Sequence, residues 1–179
     1  MDFYINEDTA WLRRAVSWVV NIVVVLACAW FLVYGYGGQV EISGNSMQPV
    51  LDADDVVLVN RLIYDVGKPE RFDIVVFERE DHKKNVKRII GLPGDTVDII
   101  DGKVYLNGSR TPLDEPYIRE PMDPELPACF EVPEDSYFMM GDNRNFSADA
   151  RRWENKYVKR DKIIAKVLFR YYPGIGKIE

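Results

Sequence analysis

Histidine is almost missing from this chain: of 179 residues, one, His82, is a histidine. That excludes a histidine-built metal site and leaves a Ser-His-Asp triad a single possible imidazole. Cysteine is nearly as scarce. Cys28 and Cys129 cannot supply a zinc quartet, and neither lies in a C-x-x-C pair. Cys28 also falls inside a long apolar run, which argues against a bridge to Cys129. Basic charge is not in excess either: 23 Lys and Arg stand against 29 Asp and Glu, for a net charge of −6. A nucleic-acid partner calls for a basic stripe to neutralise phosphates, so that class is set aside. There is no internal repeat, no low-complexity tract and, after residue 36, no amphipathic pattern of helix length. No metal or other cofactor is expected.

What the chain does have is one uncharged apolar run, "AVSWVVNIVVVLACAWFLVYGY", from Ala15 to Tyr36. As a helix it extends roughly 33 Å, enough to cross a hydrocarbon core of about 30 Å. Trp18 near one end, and Trp30, Tyr34 and Tyr36 toward the other, suit the two interfaces. The run is too long for the apolar part of a cleaved leader. Arg13 and Arg14 abut its start, whereas no Lys or Arg occurs between Gly37 and Asn60. The positive-inside rule therefore predicts residues 1–14 as a cytoplasmic tail, 15–36 as a transmembrane anchor in the cell membrane, and 37–179 as an extracytoplasmic domain.

That domain reads as mainly β. Runs of β-branched and aromatic residues at 56–60, 73–78, 86–90, 96–100, 103–108, 136–141 and 163–172 are separated by Gly, Pro, Asn and Asp. Asp101-Gly102 divides two of them as a tight hairpin would, and Asn107-Gly108 closes the next. Short strands at this spacing predict an antiparallel, barrel-like or two-sheet domain. Between Leu113 and Pro133 the sequence turns Pro- and acid-rich, an excursion with little expected regular structure.

Just past the anchor stands "SGNSMQPVL", residues 43–51. Ser46 here is either turn chemistry or a nucleophile held close to the lipid. His82 lies in the charged turn "EREDHKKN", where a solvated histidine is the ordinary outcome. The other base a serine can use is a lysine stripped of its proton, which burial favours because it penalises the ammonium form. Of the ten lysines, Lys87 in "NVKRIIGLPGD" is the one with apolar company. On a strand over 86–90 it shares a face with Ile89, with Val86, Arg88 and Ile90 opposite. Taken alone, a solvated strand lysine explains it equally well.

Four blocks in order behind the anchor, "SGNSMQP" (43–49), "RFDIVVF" (71–77), "KRIIGLPGD" (87–95) and "GDNRNFSADAR" (141–151), change that balance. Together they make the chain resemble the type I signal peptidases, membrane-bound serine proteases that remove signal peptides from exported proteins. The resemblance implies Ser46 as nucleophile and Lys87 as general base. It implies Ser147 as a hydrogen-bond partner orienting the lysine amine, and Asp149 with Arg151 as a pair holding that segment. Asp142 and Arg144 match further polar positions of the same turn, read as structural. Gly91, Pro93 and Gly94 match turn formers, and Asp95 a turn-side acceptor.

The departures are specific. Gly44 stands where many members carry a serine that helps the oxyanion hole; glycine there resembles the compact single-anchor Gram-positive type, and leaves the oxyanion hole to the backbone N–H of Ser46, with a water or another main-chain donor as the alternative partner. "NFSADAR" places Asn145, Phe146 and Ala150 where Asp, Asn and Ser are usual, and "RFD" places Phe72 where glycine is usual. Preproteins with small residues at −1 and −3 are the implied substrates, with Ile42, Met47 and Val86 as pocket or lip, or else ordinary core. Met47 is also a candidate to dip into lipid. A silent relative that assists assembly of exported proteins, and a self-cleaving repressor of the same fold group, are the alternatives; the retained Ser46 and Lys87 argue against the first, and the anchor against the second.

Overall fold

The structure, a computed structural model, describes residues 10–124 and 126–178. The first element is a 27-residue helix, α1 (Ala10–Tyr36). Its stretch Trp11–Trp30, mean hydropathy 1.7, is long and apolar enough to cross a membrane, and none of it is buried within the protein. The helix starts five residues before the apolar run and takes Arg13 and Arg14 into its first turns. Leucine and arginine are good helix formers, so the backbone conformation outlasts the hydrophobic pattern.

From Gly38 onward the chain is a separate compact unit. Its larger sheet runs β1 (Gly37–Glu41), β2 (Val56–Asn60), β10 (Ile163–Tyr172), β3 (Ile74–Glu78), β4 (Lys84–Gly91), β8 (Ser136–Met140), β9 (Val158–Lys159), with β11 (Gly176–Lys177) beside β10. A smaller sheet has the order β6 (Lys103–Leu106), β5 (Thr96–Ile100), β7 (Ala128–Glu131). The pairings β10 with β2 and β3, β3 with β4, and β4 with β8 are all antiparallel. A single helical turn, α2 (Ile63–Val66), links β2 to β3. All seven expected strands are present, and the class is mainly β as the sequence implies.

The sequence explains the turns. Asp101 (φ 49°) and Gly102 (φ 71°) both take left-handed backbone, the two-residue turn that matches strand twist. In β2, Val57 and Val59 are buried and their neighbours half-buried, the alternation of a strand with one covered face. By contrast Ile74–Phe77 of β3 and all of β8 are buried on both faces. Two apolar clusters do this. One joins Val75, Phe77, Ile89 and Phe138 to Val97, Ile99 and Val104 of the small sheet. The other gathers Met47, Leu51, Val57, Val59, Ile74, Val76 and Val167. Each such side chain contributes roughly 1.5–3 kcal/mol on burial, and β3 and β4 draw on both clusters.

The excursion has no helix or strand over its described residues before β7, yet it is pinned: Tyr117, Met122 and Val132 are buried. Phe72 keeps the bend expected of glycine, with φ at 71°. Its ring meets Tyr117 edge-on, centroids 5.9 Å apart, which offsets the cost of left-handed backbone at a bulky residue.

Candidate active site

β4 carries Lys87 opposite Val75 of β3, in a sheet whose faces are both covered, so this side chain is only 4% exposed. Ser46 sits on the turn after β1 and is half-buried. Lys87 Nζ lies 2.6 Å from Ser46 Oγ, and its other bond is to the Val86 carbonyl at 3.1 Å. Burial lowers the lysine pKa from 10.5 to about 8; Asp149 and Asp142 pull it upward, and Arg79 pushes it down. A half-buried hydroxyl against a desolvated amine is therefore in place. The Ser46 backbone N–H has no hydrogen-bond acceptor among the described residues.

The loop after β8 is fixed by three arginine–carboxylate pairs. Arg151 Nε and one terminal nitrogen each lie 2.9 Å from Asp149, which also accepts from the Gly141 N–H at 3.0 Å and the Arg151 backbone N–H at 3.2 Å. Burial alone would raise the Asp149 pKa, but Arg151 and Gly141 outweigh it and hold it below the ordinary value. Asp142 receives a fork from Arg88, at 2.8 and 2.7 Å, with both residues buried. Here burial prevails and raises the carboxyl pKa. Arg144 pairs with Glu115 of the excursion, one bond at 2.8 Å. Burial works against its charge, yet Glu115 holds the guanidinium pKa above its usual value. The Tyr117 ring has Arg88 3.9 Å from its centroid and Arg144 at 6.0 Å.

Several expectations need restating. Ser147 is fully buried, but its hydroxyl does not bond the lysine amine, which is taken by Ser46 and Val86; it lies toward Asp149, whose carboxyl pKa it helps to lower. Met47, the candidate to dip into lipid, is 1% exposed and packed in the second cluster. Ile42 is buried in the same cluster and Val86 lies half-buried against it. Gly91 is not a turn residue but the last of β4, where a Cβ would lie 2.8 Å from Val132 and Val97. Asp95 does accept from a turn, the Leu92 N–H at 2.7 Å, and pairs with Arg71 as well. At Gly44 an added side chain meets open space. His82 is exposed, bonded to Glu78 on the turn between β3 and β4.

Sequence reasoning missed Glu115, Tyr117 and the inward role of Arg88. Glu115 lies 29 residues from its partner, in a stretch with no periodicity to read. It also missed Gly141, which the "GDNR" block contains. A Cβ there would fall 2.2 Å from Ser147 Oγ and 2.4 Å from the Ser46 carbonyl oxygen. Gly141→Ala is expected to displace the Ser46 turn and lower kcat/KM by about 100-fold, since misplacement by an ångström has effects of that order. Steady-state kinetics beside a melting curve would check it; unchanged kinetics would show that the turn accommodates the methyl.

A serine hydroxyl paired with a buried, low-pKa amine is the arrangement of a serine hydrolase that works without histidine. The family described as signal peptidase, peptidase S26, matches residues 15–172. Signal peptidase I of Bacillus caldolyticus is 37% identical over 173 residues, covering 89% of this chain and 91% of its own. Signal peptidase I S of Bacillus subtilis is 32% identical, covering 94% and 95%. A solved signal peptidase I from Enterococcus faecalis aligns at a TM-score of 0.48 with 31% identity, over 56% of this chain and 97% of that one. The chain belongs to the signal peptidase family, peptidase S26. Its activity is that of a serine endopeptidase acting on the signal peptides of exported preproteins.

Proposed function

We propose that Ser46 is the nucleophile and Lys87 the general base. The observation that carries this reading is the 2.6 Å contact between a half-buried hydroxyl and an amine whose pKa burial lowers to about 8. With the lysine neutral, the hydroxyl donates to its lone pair. Ser46 Oγ attacks the scissile carbonyl as Nζ takes the proton, and the uncommitted Ser46 N–H receives the developing oxyanion. The ammonium then protonates the departing amine, leaving an acyl-enzyme. Water attacks the ester while Lys87 accepts its proton, and Ser46 Oγ leaves reprotonated. Asp149, Arg151, Asp142 and Arg144 position the loop behind the amine, and Ser147 packs there through its buried hydroxymethyl group.

The same reading makes α1 a single membrane anchor, with residues 1–14 in the cytoplasm by the Arg13-Arg14 bias and the β domain outside. Small residues at −1 and −3 are the expected cleavage signal. The test is cleavage of a preprotein with alanine at both positions by the full chain in detergent, with the new N-terminus sequenced. Cleavage after the −1 alanine that vanishes in Ser46→Ala supports the reading. Cleavage that survives Ser46→Ala would remove Ser46 from the chemistry.

A further inference from the structure

Next to the Ser46 turn is a groove of about 280 Å³ whose walls come from three segments: Gln48, Pro49 and Asp52; Arg119 and Glu120; and the loop 142–146. The volume is at the low end for ligand clefts and suits a short stretch of chain. It is a built site. Asn143 donates from its backbone to the Ser46 carbonyl (3.1 Å) and from Nδ2 to the Asn45 carbonyl (3.0 Å), tying the loop to the nucleophile turn. Asn145 accepts from Asp123 N–H (2.8 Å) and donates to the Pro121 carbonyl (3.2 Å), tying the same loop to the excursion. Gln48 donates to Asp52 at 2.8 Å. Phe146 stands on the rim, 76% exposed.

The groove's chemistry is wrong for the signal half of a substrate. The apolar residues nearest the Ser46–Lys87 pair in sequence, Ile42, Met47 and Val86, are not among its walls. Apart from Pro49 and the rim residue Phe146, its walls are amides and charges. Two of the charges are spent: Asp142 on Arg88 and Arg144 on Glu115. Asp52, Glu120 and Arg119 make no ion pair among the described residues, which leaves one net negative charge facing the groove.

We infer that this groove receives the first residues of the mature protein, on the C-terminal side of the cut, and that Asp52, Glu120 and Arg119 read their charge. The inference rests on Ser46 being the nucleophile. The segment after the cut begins a water-soluble protein, so it is polar where the signal half is apolar, and it matches an amide- and charge-lined wall. A basic residue just after the cut is favoured over an acidic one, because like charges oppose each other across the two carboxylates.

The experiment uses the full chain in detergent and peptides that share one signal half with alanine at −1 and −3. They carry Lys, Gln or Glu at +2. Wild type is expected to show a Lys-to-Glu ratio in kcat/KM of about two- to fivefold, the scale of partly exposed charge pairs. Arg119→Gln raises the ratio, and Asp52→Asn with Glu120→Gln inverts it, since only the guanidinium then faces the groove. The same charge swap at −5 leaves the ratio alike in all three proteins. A ratio that ranks otherwise, or that responds equally at −5, overturns the assignment of the groove while the Gln peptide is still cleaved. Failure of wild type to cleave the Gln peptide would overturn the proposed function, and this inference with it.

Discussion

Replacing Lys87 by methionine is expected to abolish cleavage and, at the same time, to stabilise the folded domain. The loss of activity follows from removing the base: knocking out one member of a serine protease's catalytic unit typically costs on the order of 10⁴-fold or more in kcat. The gain in stability follows from the same burial. The lysine's pKa is about 8 in the folded protein against an ordinary 10.5. Below pH 8 both states hold the proton, and the folded state carries the full cost of a buried ammonium. Between 8 and 10.5 the folded protein releases its proton while the unfolded chain keeps it, so stability rises with pH there. Methionine has similar reach and no charge, and removes that cost, worth at most about 3 kcal/mol below pH 8. Melting of the full chain in detergent should therefore rise by on the order of 10 °C at pH 7, with the advantage shrinking above pH 8. A variant that melts lower than wild type at pH 7 would mean that the amine is not desolvated.

The second large effect concerns the loop behind the amine. Asp142→Ala leaves the Arg88 guanidinium, 3% exposed, with the Phe72 carbonyl at 2.9 Å and the Tyr117 ring as its remaining partners. Arginine cannot shed its proton, so the uncompensated charge costs about 3–5 kcal/mol. Arg88→Met is expected to cost less, because the Asp142 carboxyl, already raised by burial, can take up a proton and become neutral. The pair of substitutions together should recover much of the loss. Denaturant midpoints of the two single variants and the double variant measure this. Additive losses would contradict a coupled pair. The linkage also bears on catalysis: with Asp142 gone, one of the two carboxylates that raise the Lys87 pKa is gone too.

Much of this was legible in the sequence because it is carried by local chemistry. The strands at 56–60, 74–78, 96–100 and 163–172 announce themselves by β-branched runs, and the Asp-Gly and Asn-Gly turns by residues that accept left-handed backbone. Ser46 and Lys87 could be paired only through block order, since 41 residues separate them and no periodicity relates the two. β1 begins Gly-Gly-Gln, and β9 and β11 have two residues each. Those strands exist because an edge is there to pair with, not because their own residues prefer extension. Glu115 and Tyr117 were unreadable for a related reason. Their roles depend on a coil being laid over the 141–151 loop, and a coil has no repeat that exposes which side chains point inward. Alternation puts Lys87 and Arg88 on opposite faces of their strand; both are buried because β4 is covered on both faces.

The most direct test of the central claim is the pH dependence of kcat/KM between pH 5 and 10, on a preprotein without titrating groups near its cleavage site. A neutral Lys87 acting as base predicts a rate that rises tenfold per pH unit and levels off through a single pKa near 8. A profile flat over that range, or a limb that disappears in His82→Gln, would contradict lysine as the base.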